Sequence, residues 1–158
     1  MSTSERFSVD VDLLPKQKAL WDSRDRVVGF VAGYGSGKSY GGGAKALQLA
    51  LANPGLEGMI VAPSHRMLVR VALPAFKRFA KPLIVDENKH DGRIELCNGS
   101  VIWLGSVDSP GSCEGSNLAW LWGDEARLWD AGGEAYRILL GRLRDGNASQ
   151  LQMVLTLL

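Results

Sequence analysis

Along the chain, short continuous apolar runs alternate with longer stretches in which apolar residues recur three or four positions apart. The runs "RVVGFVAG", Arg26 to Gly33, "GMIVAP", "NLAWLWGDEA" and "LQMVLTLL" are short and apolar, which predicts buried strands. Between them, "LLPKQKALWDS", Tyr40 to Ala52, "SHRMLVRVALPAFKRFAK" and "EAYRILLGRLR" have helical spacing. Pro15 suits the first turn of the first helix, "NPG" ends the second, and Pro74 predicts a kink or break in the third. "RIELCNGSVIWLGSV" alternates on both sides of Asn98 and Gly99, a hairpin signal. Strands separated by helices imply a three-layer α/β fold, with a mostly parallel central sheet and an antiparallel hairpin at one edge.

One loop interrupts this alternation. "AGYGSGKSYGGG", Ala32 to Gly43, has six glycines among twelve residues, with Lys38 in their midst. Bare backbone lets amide N–H groups converge on one ligand. The spacing A-x-x-x-x-G-K-S matches the phosphate-binding loop at every position but the first, where Ala32 replaces glycine. Gly33, Tyr34, Gly35, Ser36, Gly37, Lys38 and Ser39 are therefore expected to hold a nucleoside triphosphate. Lys38 is the exposed point charge for the phosphates and Ser39 the Mg²⁺ ligand. A strand before the loop and a helix after it fit that chemistry, because a helix N-terminus favours anions.

A second segment supplies acids. In "LAWLWGDEA" the apolar run puts Asp124 and Glu125 at the carboxyl end of a buried strand, where α/β sheets gather their ligands. Asp124 is expected to hold Mg²⁺ through its water shell, and Glu125 to orient and deprotonate the attacking water. The second acid favours ATP hydrolysis over a GTPase switch. Acids that open a helix also serve as simple caps, and it is their pairing with the glycine loop that makes a site of them.

Composition bears on partners more than on fold. At 158 residues and 46% hydrophobic content, one core and one domain over residues 1–158 are expected. A net charge of +1 gives no general case for coating nucleic acid, so any DNA contact is local. Cys97 and Cys113 lack metal-ligand spacing and read as free thiols of a reducing cytoplasm. "MSTSERFSVDVD" has no signal-peptide core, and no segment approaches membrane-spanning length.

In order, "LPKQKALWDS", "AGYGSGKS", "VAPSHRMLVRVALP" and "LAWLWGDEA" resemble the N-terminal ATPase domain of the large terminase subunit of tailed bacteriophages, a P-loop NTPase of the RecA-like, ASCE type. The likeness covers nearly the whole chain. Its loop and acid pair are common to the superfamily, while their spacing and the "APS" strand end before a long helix point to terminases. The resemblance implies ATP hydrolysis with Mg²⁺, coupled to translocation of double-stranded DNA into a capsid. It implies a homo-oligomeric ring, monomeric in isolation, with portal protein and small terminase subunit as partners in the host-cell cytoplasm.

Residue by residue, the resemblance puts Gln17 where such ATPases read adenine, with a solvated helix glutamine as the alternative. Tyr34 stands where many terminases carry arginine. "DSPGSCEGSN", Asp108 to Asn117, has no basic residue where an arginine finger is common. Arg142 and Arg144 in "GRLRDG" are then expected to supply the finger, in cis or from a neighbour, with plain solvation as the alternative. The family continues with a threonine-containing coupling motif, a helical subdomain and a nuclease, of which only Thr156 can belong here. A helicase's first motor domain and a nucleotide-binding assembly module with little turnover stay open as alternatives.

Overall fold

The computed structural model describes residues 8–115 and 117–158. The chain runs α1 (Pro15–Asp22), β1 (Val27–Val31), α2 (Lys38–Ala52), β2 (Glu57–Ala62), α3 (His65–Met67), a π-helical turn (Leu68–Ala72) and α4 (Leu73–Ala80). It continues through β3 (Ile84–Asn88), β4 (Arg93–Leu96), β5 (Val101–Ser106), β6 (Trp120–Asp124), α5 (Glu134–Arg142) and β7 (Gln152–Leu157). The reading of the N-terminus as free of a signal peptide falls mainly on residues 1–7, and part of the "DSPGSCEGSN" reading on Ser116; both lie outside the described residues.

The strands form one sheet in the order β1-β7-β6-β2-β5-β4-β3. The five strands from β1 to β5 in that order are parallel, and β4 and β3 continue the sheet as an antiparallel edge. A strand's period of two divides the core. Ile60, Ala62, Trp120, Trp122 and Val154 face one side, with Leu47, Phe76 and Phe79 of α2 and α4. Met59, Val61, Leu121 and Met153 face the other, with Leu139 of α5 and Leu143. This alternation produces the three layers expected from the sequence.

Half of the glycine stretch serves this packing. A Cβ at Gly42 meets the Trp122 ring at 2.4 Å, and one at Gly43 meets the Ala75 carbonyl oxygen at 2.6 Å. Helix α2 therefore lies directly on β6 and α4. It also begins at Lys38, two residues earlier than its apolar spacing indicates.

Two sequence expectations change. The irregularity expected near Pro74 is a π-helical turn and not a break: the Leu73 N–H bonds the Leu68 carbonyl five residues back, and Pro74 falls in the first turn of α4. The wide turn removes the clash that a proline makes in regular helix, and a first-turn N–H has no intrahelical partner to lose. The hairpin around Asn98 and Gly99 forms, with Gly99 at φ +84° and the Leu96 N–H on the Ser100 carbonyl. The antiparallel edge, however, has three strands, because β3 pairs with β4. "IVDEN" gave no strand signal, having two apolar residues followed by three polar ones. Among the described residues no helix is long and apolar enough to cross a membrane.

Candidate functional site

Strands β1 and β6 flank β7, and because all three are parallel their carboxyl ends share one edge. The Ala32 N–H continues the β1–β7 ladder onto the Leu157 carbonyl, and the chain then leaves the sheet. Gly35 (φ +67°) and Gly37 (φ +76°) take left-handed conformations that side chains disfavour. The Ser36 hydroxyl donates to the Gly33 carbonyl at 2.6 Å, closing the loop on itself. The N-terminus of α2 follows immediately at Lys38, so its unpaired first-turn N–H groups border the loop.

Here the two motifs meet. Lys38 Nζ lies 3.2 Å from Glu125 Oε1. The Ser39 hydroxyl lies 3.3 Å from both oxygens of Asp124. Lys38, expected to be exposed, is only 7% accessible, for Glu125 covers it from one side and the Tyr34 ring lies 5.4 Å away. Tyr34 itself is 83% exposed. Glu125 adopts φ 46° and ψ 47°, and among the described residues it alone is a non-glycine residue with positive φ. Its Oε2 is buried with no hydrogen-bond partner.

Asp124 is buried and tied on a second side. The Thr156 hydroxyl is 2.7 Å from its Oδ1, and the Trp122 indole N–H donates to that same hydroxyl oxygen at 3.0 Å. Burial pushes the Asp124 carboxyl above its ordinary pKa and the Glu125 charge adds to the rise, while the bonds from Thr156 and Ser39 oppose it. The donor set suits a hard cation that keeps much of its water: one hydroxyl, one carboxylate and an orphaned carboxylate oxygen nearby. Among the described residues no cluster of three or more His, Cys, Asp or Glu could cage a metal without such help.

Gln17 reaches this edge from α1. It is buried: its Oε1 accepts from the Leu14 N–H and its Nε2 donates to the Gly37 carbonyl, both at 2.9 Å. The alternative of a solvated helix glutamine does not hold. Arg142 and Arg144 lie elsewhere. The Leu118 N–H bonds the Arg142 carbonyl, and the Arg144 N–H bonds the Leu118 carbonyl. Leu118 is six residues before Asp124, so at ~3.3 Å per residue both arginines sit about 20 Å away, at the opposite end of β6. Helix α5 has carried the chain back across the sheet. Arg142 is buried, donating to the Cys113 carbonyl and at 3.8 Å to Met59 Sδ. Arg144 is exposed and donates to Asn117 Oδ1 at 2.7 Å. An arginine finger in cis from either residue is thereby corrected. Sequence reasoning also missed the bond from Trp122 to Thr156, whose only trace was a tryptophan two residues before the acids.

Residues 30–157 match the family model described as terminase large subunit, T4likevirus-type, N-terminal. Over 125 residues the chain is 31% identical to the terminase large subunit of Escherichia phage T5, spanning 77% of this chain and 28% of that protein. The large terminase ATPase domain of Thermus phage P74-26 has a TM-score of 0.72 at 20% identity, over 92% of this chain and 64% of that one. A large terminase from a thermophilic bacteriophage, in complex with ADP, has a TM-score of 0.69 at 14% identity, over 90% of this chain and 38% of that one. At such identities these structures show a shared fold. The chain spans about a quarter of the curated relative it matches.

Proposed function

We propose a function from one premise: the chain belongs to the terminase large-subunit family. It is the nucleotide-hydrolysing part of a packaging motor, which binds ATP with Mg²⁺ and couples turnover to movement of double-stranded DNA into a capsid. It works in a ring of copies, with portal protein and small terminase subunit, in the host-cell cytoplasm. The observation that carries the chemical part is the meeting of Lys38 with Glu125 at 3.2 Å and of Ser39 with Asp124 at 3.3 Å, across 85 residues of sequence for the second pair.

The loop N–H groups from Gly33 to Ser39 bind the β- and γ-phosphates, helped by the dipole of α2. Lys38 turns from Glu125 to phosphate, which frees the carboxylate. Glu125 then takes a proton from the water that attacks the γ-phosphorus, while the bond from that phosphorus to the β–γ bridging oxygen breaks and ADP leaves. Ser39 and Asp124 would hold Mg²⁺, which would supply positive charge against the phosphates. Gln17 fixes the loop through Gly37, next to its adenine-reading role. Family membership displaces the helicase alternative. The module with little turnover keeps one observation in its favour, the distance of Arg142 and Arg144 from the acids.

Lys38→Ala tests the reading. Phosphate release from Mg-ATP should fall at least about 100-fold, because a charge aimed at the transferring phosphoryl group is lost, while circular dichroism stays that of the parent. Equal rates overturn the proposal, and a parent that binds ATP through Lys38 yet releases no phosphate at any protein concentration favours the assembly module.

A further inference from the structure

Trp122 is a large polar-tipped residue inside the acid-bearing strand, and it fits only because Gly42 leaves its ring room. We propose that Trp122 is a positioning residue for the Asp124 carboxylate and acts through Thr156. The proposal rests on the reading of Asp124 as the metal carboxylate.

Donor and acceptor chemistry sets the direction of the contact. An indole N–H can only donate, so at 3.0 Å from Thr156 Oγ1 it makes that oxygen an acceptor. A threonine hydroxyl has one proton. With the indole on its acceptor side, the remaining close neighbour is Asp124 Oδ1 at 2.7 Å, and the proton goes there. Trp122 and Thr156 are fully buried and Asp124 is 2% exposed, so solvent does not replace either partner.

The geometry is local and rigid. Asp124 pairs with Thr156 and Trp122 with Val154 across β6 and β7, which puts all three interacting side chains on the face toward α2. Thr156 also pairs with Phe30 in β1, the strand that leads into the phosphate loop. The carboxylate held at Oδ1 presents both oxygens equally to Ser39, at 3.3 Å each. Without the indole, the hydroxyl rotor is no longer fixed, and the carboxylate loses its permanent donor.

The test is a mutant cycle of Trp122→Phe, Thr156→Val and the pair, with melting temperature followed throughout. Two readouts apply: the Mg²⁺ concentration that half-saturates ATP turnover, and the Trp122 indole N–H resonance in ¹H–¹⁵N spectra during titration with Mg²⁺ alone. Each single variant should raise half-saturating Mg²⁺ by about tenfold, the size of one hydrogen bond to a charged group. The double variant should add nothing further, since Trp122 acts through Thr156. Thr156→Ser, which keeps the hydroxyl, should restore the parental Mg²⁺ response, and in the parent the indole resonance should shift with Mg²⁺. Additive effects, or parental Mg²⁺ dependence in Trp122→Phe, overturn the inference alone. A parent whose turnover and indole resonance both ignore Mg²⁺ overturns the metal reading and the inference with it.

Discussion

At Glu125 the backbone is left-handed, which costs a residue with a side chain about 1 kcal/mol. The residue in this conformation is the one that pairs with Lys38, and on the proposed function an incoming phosphate competes with Glu125 for that lysine. Gln17 offers a prediction that separates its two roles. Gln17→Ala removes the donor to the Gly37 carbonyl and the acceptor for the Leu14 N–H. If the loop brace matters, affinity for inorganic triphosphate and for ATP should fall together, by about tenfold for one lost hydrogen bond and a looser loop. Loss for ATP alone assigns the residue to adenine, and no loss for either ligand leaves the brace without a role. The loop and the acids were legible because each is a short contiguous motif. The partners of Gln17 and Asp124 were not, because their bonds join residues 20 and 32 positions apart.

Among the elements, α2 carries the densest set of constraints. Gly42→Ala puts a methyl group into the Trp122 ring, and overpacking of this kind costs roughly 1–3 kcal/mol. Urea unfolding should show that loss, and parental stability would mean that α2 can lift from β6. Lys45, also on α2, is fully buried and ties down the end of α1 by donating to the Trp21 and Ser23 carbonyls at 2.7 and 3.0 Å. Burial, then the Arg24 charge, lower its pKa from 10.5 to about 8, against the opposing pull of Asp22. The unfolded chain thus binds more protons between pH about 8 and about 10.5, so this residue's contribution to stability rises with pH across that window and is level below it. Measured against Lys45→Met, the parent should gain stability over the same window; a constant difference contradicts the linkage. Strand and helix periodicity made most elements readable. The β3 edge and the π-helical turn were hidden, since β3 has no alternation of its own and the turn is a local answer to Pro74 within a tertiary setting.

For the molecule as a whole, the acids lie at the carboxyl end of β6, beside the loop, and Arg142 and Arg144 lie at its amino end, bonded to Leu118. Chain order could not reveal this, because "GRLRDG" follows the acids closely in sequence but only after α5 has crossed the sheet. Asp108–Asn117 holds no basic residue, so, if the chain works among copies as proposed, an arginine of a neighbouring copy is the candidate for positive charge beyond that of Lys38. Arg127, exposed in the turn after Glu125, is at the correct edge to be exchanged between copies, and Arg144, exposed at the far end, is the other candidate. ATP turnover per chain should therefore rise with protein concentration, and Arg127→Ala or Arg144→Ala should abolish that rise; turnover independent of concentration contradicts the need for a neighbour. On the proposed function, two distant motifs form one hydrolytic site with Glu125 as its base. The direct measurement is phosphate release from Mg-ATP by Glu125→Gln beside the parent, with nucleotide affinity determined on the same samples. Glu125→Gln should bind nucleotide at least as tightly as the parent, because Lys38 is released from its ion pair, and hydrolyse it more slowly by about 10²- to 10⁴-fold. Hydrolysis at the parental rate contradicts that role of Glu125.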